Sequence, residues 1–511
     1  MKPLFYYIIV IALLLTVKAN GQDSSNSLDI EITLNTDSIS KADLLDTIGK
    51  MANVFFSYNP ELIEADHLVK PELKSTKISS ILIQIIDLGK VGFSSLDNQI
   101  ILFPTTTVKD STEKKPVFKI IKGAVTDMKN EESVPFCNIA IVGKAIGTMS
   151  NLDGNFTIKI PEENFNDTLR FSCLGFLVQD WPIATINTDE KIEIQLDKRI
   201  YTLKTINVVH YDVSEILTNF YNNISVNYEN KYTLLTTFYR EIVQENSAYT
   251  DISEAVLKVV KAPYSNVVKD DLVKFIKGRK SSNTQPYDEI RFRLKGGPYY
   301  ITKLDVVKNN ESFINPEFRH LYVYEYEKKT LIDGRETYII SFSPISNLRD
   351  ILYEGYLYID CQSWALSRIE FSYTRQGLKE ARRLMIEKEP KEYKAIPTEL
   401  TYTVQYKLVD NKWYLLGARS LMQIKLNNRE KKQKTKFKSI SEMQTTNIEK
   451  GDFQRFSRSE IFKPSEFFTE KIVSYDKDFW DDYNVIQPED DLNDALKDFD
   501  NHDLIITEKP Q

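Results

Sequence analysis

Two runs of strictly alternating apolar residues, joined by a turn, restrict the fold of this chain more than any other feature. Leu400, Tyr402, Val404, Tyr406 and Leu408 alternate with polar neighbours, Asp410-Asn411 turns the chain, and Leu416, Ala418, Met422, Ile424 and Leu426 alternate again. Successive strand side chains point to opposite faces, so each run buries one face of a sheet and the pair predicts a long antiparallel hairpin. Gly355–Asp360 followed by Trp364–Phe371 predicts a second. The 28 Tyr and 27 Phe suit such a sheet, because aromatic rings pack well on a pleated, half-buried surface. Just upstream, Ile216, Leu217, Phe220 and Tyr221 share one helical face, and from Leu234 onward the chain is a succession of strands. The expectation for residues 205–487 is a large antiparallel curved sheet with flanking helices. A chain of 511 residues exceeds one such domain, so further units precede it.

The first of these spans 28–105. Asp29 to Leu34 alternates as a strand, and Ala42, Leu45, Ile48, Met51 and Ala52 then recur at helical spacing behind Ser40, an N-cap residue type. Val54–Tyr58 and a segment near Leu68–Leu73 predict strands. A helix carrying Ile78, Ile81, Leu82, Ile85 and Ile86 follows, and then paired strands at Val91–Ser95 and Gln99–Phe103. This is a small βαβ-type unit. Its segments Ile39–Gly49, Val54–Ile63 and Ile81–Asp87 resemble the short N-terminal domain shared by secretins and TonB-dependent transducers. That resemblance implies a periplasmic protein-interaction module.

Residues 106–116 carry no apolar periodicity and are expected to form a linker. From 117 to 200, short strands are separated by turn signals at Asp127–Ser133, Asn151–Asn155, Pro161–Asp167 and Asn187–Glu190, the rhythm of a β-sandwich. The succession Ile121–Asp127, Val134–Ile141, Ile146–Ile158 and Leu169–Phe176 resembles the carboxypeptidase-type regulatory domain, which implies a prealbumin-like sandwich. Asn151-Leu-Asp153-Gly154-Asn155 lacks the further ligands and closing Glu of a calcium loop and is expected to be a Gly-assisted hairpin turn.

Lys2, the apolar run Leu4 to Val17, and Ala19-Asn20-Gly21 before Gln22 have the layout of a secretory signal peptide over 1–21. At 14 residues the run falls short of the roughly 20 that cross a bilayer as a helix, and no later segment supplies such a run. The net charge is −7, and cleavage would remove Lys2 and Lys18 and take it to −9. An acidic chain carries no electrostatic footprint for nucleic acid. The one basic stretch, Arg429 to Lys438, alternates with other residues and is expected to be the Lys-rich face of a strand. Three cysteines, Cys137, Cys173 and Cys361, do not make a disulfide scaffold, and whether Cys137 and Cys173 are bridged stays open.

No catalytic motif was identified. A zinc carboxypeptidase needs His and Glu three residues apart plus a distant His, yet His67, His210, His320 and His502 are followed at that distance by Lys70, Val213, Val323 and Ile505. Nucleophile-elbow, dinucleotide and P-loop signatures are likewise missing, and no cofactor or metal is expected. Among 73 acids, a carboxylate pair fit for hydrolysis stays open as an alternative.

Gly355–Asp360 with Ala365–Phe371 looks like the periplasmic lipoprotein-carrier half-barrels. The order of units, with Thr237–Glu241, Ile252–Leu257, Lys277–Lys280 and Phe479–Asn484, resembles the envelope proteins called carboxypeptidase-like regulatory domain-containing proteins, a family that implies no activity. Leu203–Val209 is similar to the junction before the plug of TonB-dependent transporters, and a small outer-membrane β-barrel is a further alternative, although the Lys and Glu density and the acidic tail 488–511 do not suit one. The expected role is that of a non-enzymatic envelope protein, periplasmic or associated with the outer membrane. Residues 28–200 would contact other envelope proteins, and the C-terminal sheet would hold an apolar or extended ligand such as a lipid or peptide. Phe238, Tyr239, Arg240 and Glu241 are the candidate ligand residues, either as a groove of aromatics with Arg or as a buried, fold-specifying Arg–carboxylate pair.

Overall fold

The computed structural model describes residues 10–15, 27–104, 117–199, 212–282, 290–345, 353–471 and 483–492, apart from 36–37, 59–61, 89, 97–98, 389–390, 452, 454–455 and 459. The expected linker 106–116, the segment 201–211 with His210, residues 493–511 with His502, and most of the expected signal peptide lie outside them. Of that peptide, Val10–Leu15 form a strand antiparallel to Ile290–Lys295 and parallel to Ile386–Lys388.

The chain divides into residues 17–115 and the remainder. In the smaller unit, Lys41–Ala52 is a helix because Ser40 stays extended and its hydroxyl accepts the Asp43 N–H at 3.1 Å. Leu44, Leu45 and Ile48 pack against Ile78, Ile81 and Leu82 of the helix Ile78–Ile85. Glu31–Asn35 pairs with Glu72–Lys77, and Gln99–Pro104 lies between Phe55–Ser57, parallel, and Val91–Leu96, antiparallel. The expected βαβ-type unit is present.

The larger unit opens with a sandwich of two sheets. One has the order Gly147–Met149, Asn138–Ile141, Thr168–Ser172, Gln179–Pro182; the other has Asn155–Pro161, Phe118–Asp127, Ile192–Leu196. Alternation along Asn155–Pro161 puts Phe156, Ile158 and Ile160 inside, where Phe156 meets Phe171 with ring centres 5.8 Å apart. Gly154 closes the turn at φ 78°, where a side chain would strike the Val125 carbonyl. Asn151 Oδ1 accepts the Asp153 and Asn155 N–H groups, so the loop is a side-chain-braced hairpin turn. All three cysteines are free thiols.

Ten antiparallel strands then form one sheet. Its order is Leu272–Ser282, Ala248–Lys261, Thr233–Glu245, Lys434–Lys450, Lys412–Asn428, Tyr393–Val409, Leu366–Tyr373, Tyr353–Asp360, Arg335–Pro344, Tyr322–Ile332. The expected hairpin around Asp410-Asn411 pairs Val409 with Lys412 and runs to Tyr393–Asn428. One face carries the main apolar core, including Tyr239, Leu257, Val404, Ile369 and Phe342. The helix Val213–Asn222 and the short helices Gly297–Thr302 and Val306–Asn309 bury their own residues in that core. Among the described residues no helix is long and apolar enough to cross a membrane.

Candidate functional site

The face of the large sheet opposite its apolar core carries a charged row across the five strands at one end. Direct cross-strand partners run Arg279, Glu254, Arg240, Glu442, Arg419 over five neighbouring strands, alternating in sign. Arg240 Nε donates to Glu254 Oε1 at 2.7 Å, its Nη1 to Glu442 Oε1 at 3.1 Å, and Arg279 Nε to Glu254 Oε2 at 2.6 Å. The Arg240 side chain is 0% exposed. Burial works against its charge, but Glu254 and Glu442 more than offset this and hold its pKa above the ordinary value. Burial likewise opposes ionisation of Glu254, and Arg240 with Arg279 keeps that carboxyl below its usual range.

The pleat divides the four residues singled out from the sequence. Phe238 and Arg240 face this charged row, with the guanidinium 5.1 Å from the Phe238 ring centre, whereas Tyr239 and Glu241 face the apolar core. All four are buried, and they do not line one groove. Tyr239 OH donates to Glu241 Oε1 at 2.6 Å, and burial pushes the Glu241 carboxyl up to about 8. A second buried cluster joins Lys261 to Asp271 at 2.6 Å and to Asp305 at 2.5 Å, while Tyr264 and Tyr406 also donate to Asp305. The acid pairs of both clusters are therefore bridged by cations. His67 and His320 are exposed, and no group of His, Cys, Asp and Glu among the described residues is arranged to hold a metal ion.

A C-terminal strap, residues 483–492, ties the sandwich to the charged row. Asn484 Oδ1 accepts the Lys159 N–H at 2.7 Å and its Nδ2 donates to the Lys159 carbonyl at 3.1 Å. Thr148 and Asn151 donate to the carbonyls of Val485 and Pro488. From the other side, Arg240 Nη2 donates to the Ile486 carbonyl at 2.6 Å and Tyr249 OH to Asp491 at 2.9 Å. The first residues of the expected acidic tail are part of this strap.

Beside it, sandwich and sheet enclose a cavity of about 180 Å³. Phe136, Asn138, Cys173 and Leu174 line it from the sandwich, and Arg368, Gln405, Lys407 and Leu416 from the sheet. The turn between Tyr322–Ile332 and Arg335–Pro344 closes one side, with Asp333 at φ 51° and Gly334 at φ 77°, the paired left-handed residues of a tight hairpin. Phe136 also lies over the Arg419 guanidinium at 5.0 Å. Burial pushes the Lys407 amine down to about 8, opposed by Asp333 and assisted by Arg170, and pushes the Cys173 thiol up to about 11, far from a reactive thiolate. Sequence reading singled out neither Lys407 nor Asp333. The Asp-Gly turn signal was visible, but nothing local places it against residues of the sandwich.

Residues 121–208 match the family model of the CarboxypepD_reg-like domain. A curated relative, TonB-dependent receptor P3 of Formosa agariphila, is 33% identical over 93 residues, which are 18% of this chain and 9% of that protein. The chain therefore spans under a tenth of that relative's length. Among solved structures, an outer membrane lipoprotein-sorting protein domain from Vibrio parahaemolyticus aligns at 14% identity over 47% of this chain and 93% of its own, with a TM-score of 0.24. A LolA superfamily protein from Nitrosomonas europaea aligns at 11% over 48% and 96%, with a TM-score of 0.20. The chain is a multidomain, β-rich protein carrying a CarboxypepD_reg-like domain.

Proposed function

We propose that this is a non-enzymatic binding protein of the cell envelope, periplasmic or outer-membrane associated, whose large sheet is a rigid floor over which the sandwich closes a ligand site. The observation that carries the reading is the cavity at the sheet–sandwich junction, walled by Phe136, Leu174, Leu408, Leu416 and Trp413 with a few polar groups among them. The buried paired acids support it, since Glu254 and Glu442 share Arg240 and Asp271 and Asp305 share Lys261, which leaves neither pair free for acid–base work. Phe238, Tyr239, Arg240 and Glu241 then serve the site by fixing the sheet beneath it. The signal-peptide layout of 1–21 and the similarity of 93 residues to a TonB-dependent receptor support the envelope address. Residues 28–200, through the secretin/TonB-like unit and the sandwich, are the surface offered to other envelope proteins.

Native mass spectrometry of protein purified gently from envelope fractions tests this. A retained small molecule that is lost from a Leu174→Trp variant, in which the indole fills the cavity, is the expected result. A clean mass for both proteins would remove the ligand site and leave only the protein-contact role.

A further inference from the structure

Three polar groups of the junction cavity are without partners. Asn138 Oδ1 and Asp333 Oδ1 are shut off from water and accept no hydrogen bond. The Lys407 amine makes no ion pair or hydrogen bond among the described residues, and it does not reach Asp333 although both line the cavity. The same three line an adjoining space of about 170 Å³. Neighbouring cations are already committed: Arg335 grips Asp360 through two bonds of 2.7 and 2.8 Å, Arg170 grips Asp180 through two of 2.8 and 2.7 Å, and Arg368 pairs with Glu370 at 2.7 Å. What remains is one positive and one negative charge facing a common space without touching, with an amide acceptor beside them. The two buried oxygens are costly unless a ligand or water completes them, and the partly exposed Lys407 amine is left facing the same space.

We propose that this cavity binds a free α-amino acid with an apolar side chain, its carboxylate on Lys407, its ammonium on Asp333 and Asn138, and its side chain among Phe136, Leu174 and Leu416. The proposal rests on the junction being a ligand site and names the ligand class. Each alternative fails on one count. A fatty acid supplies an acceptor to Lys407 but no donor for the two orphan oxygens, and an amine leaves Lys407 unanswered. A zwitterion of this kind answers all three groups and adds no net charge to a buried site. The size agrees: a cavity of about 150 Å³ holds benzene, so about 180 Å³ suits a molecule somewhat larger, such as leucine. With its pKa near 8, Lys407 is still mostly protonated at neutral pH and presents a cation.

The test is calorimetric titration of the full chain with L-leucine and L-phenylalanine at pH 7. Saturable one-site binding is expected, weakened at least about tenfold by Lys407→Met and by Asp333→Asn, a change that keeps a residue tolerant of positive φ in the turn. On the unaltered protein, L-leucinamide and 4-methylpentanoate, each lacking one charge of leucine, are expected to bind at least about tenfold more weakly than leucine, so the result does not depend on the variants folding. Binding of 4-methylpentanoate as tight as leucine, or no binding of either amino acid, overturns the proposal. If amino acids fail while a different envelope molecule is retained and is lost from Leu174→Trp, the ligand site stands and only the ligand class is wrong. If nothing binds at all, both readings fall.

Discussion

Arg240 and Glu254 stand directly opposite one another on the third and second strands from one edge of the ten-stranded sheet, joined Nε to Oε1 at 2.7 Å and closed off from water. A pair in this position specifies register, because a one-residue slip of either strand would turn its charge into the apolar core on the other face and leave the partner unpaired. It also makes the sheet intolerant of losing one member. Arg240→Met leaves Glu254 and Glu442 short of a cation and is expected to cost about 3–5 kcal/mol. Arg240→Lys should not restore it, since an ammonium cannot serve Glu254, Glu442 and the Ile486 carbonyl in the geometry of the guanidinium fork. Urea unfolding of the three proteins measures this, and a loss below about 1 kcal/mol for the Met variant would mean the row is not structural.

Glu241 predicts a pH dependence. Its folded-state pKa is raised to about 8 from an ordinary 4.5, chiefly by burial. Between those values the folded protein keeps a proton that the unfolded chain has released. Its contribution is therefore fully present below about pH 4.5 and falls by about 1.4 kcal/mol per pH unit until about pH 8. Glu241→Gln removes that slope, so the variant should gain on the natural protein as pH rises from 5 to 8. Parallel melting curves across the window would sink the assignment.

Gly297 begins the short helix that sits over Glu241. A Cβ there would run into Oε1 of Glu241 and the hydroxyl of Tyr239. Gly297→Ala is expected to destabilise by about 1–3 kcal/mol despite alanine's better helix propensity. A melting temperature at or above that of the natural protein would show that the helix can lift away without cost.

The strap gives a local readout. Asn484→Ala removes two hydrogen bonds to the backbone of Lys159 and should cost about 1–3 kcal/mol. Hydrogen exchange at the Lys159 amide is expected to accelerate while the amides of Leu400–Val404, deep in the sheet, stay protected. Unchanged exchange at Lys159 would show that the strap does not hold the sandwich edge.

Much of the fold was legible because its signals are local. Ser40 capping a helix, the alternating run from Leu400 to Leu426 about Asp410-Asn411, and Gly154 in its turn each depend on a few neighbouring residues whose spacing matches a helical or strand period. The regulatory-type sandwich was legible for the same reason, as a succession of short patterned strands.

The site was not, because its members come from separate parts of the chain. Arg240 meets a partner 14 residues away and another 202 residues away, and the strap joins Thr148 to a carbonyl 337 residues on. Phe238–Glu241 read as one cluster in sequence, yet a strand's period of two sends them to opposite faces. Asn138, Asp333 and Lys407 lie on a sandwich strand, a hairpin turn and a sheet strand, each unremarkable in its own segment. The sequence by itself determined which residues form strands, helices and turns, since those follow from backbone preference and the burial of one face. Only the tertiary structure decided which charges pair and which are left facing a cavity, since that depends on sheet order and on how the sandwich closes over the sheet, contacts for which a one-dimensional pattern carries no period.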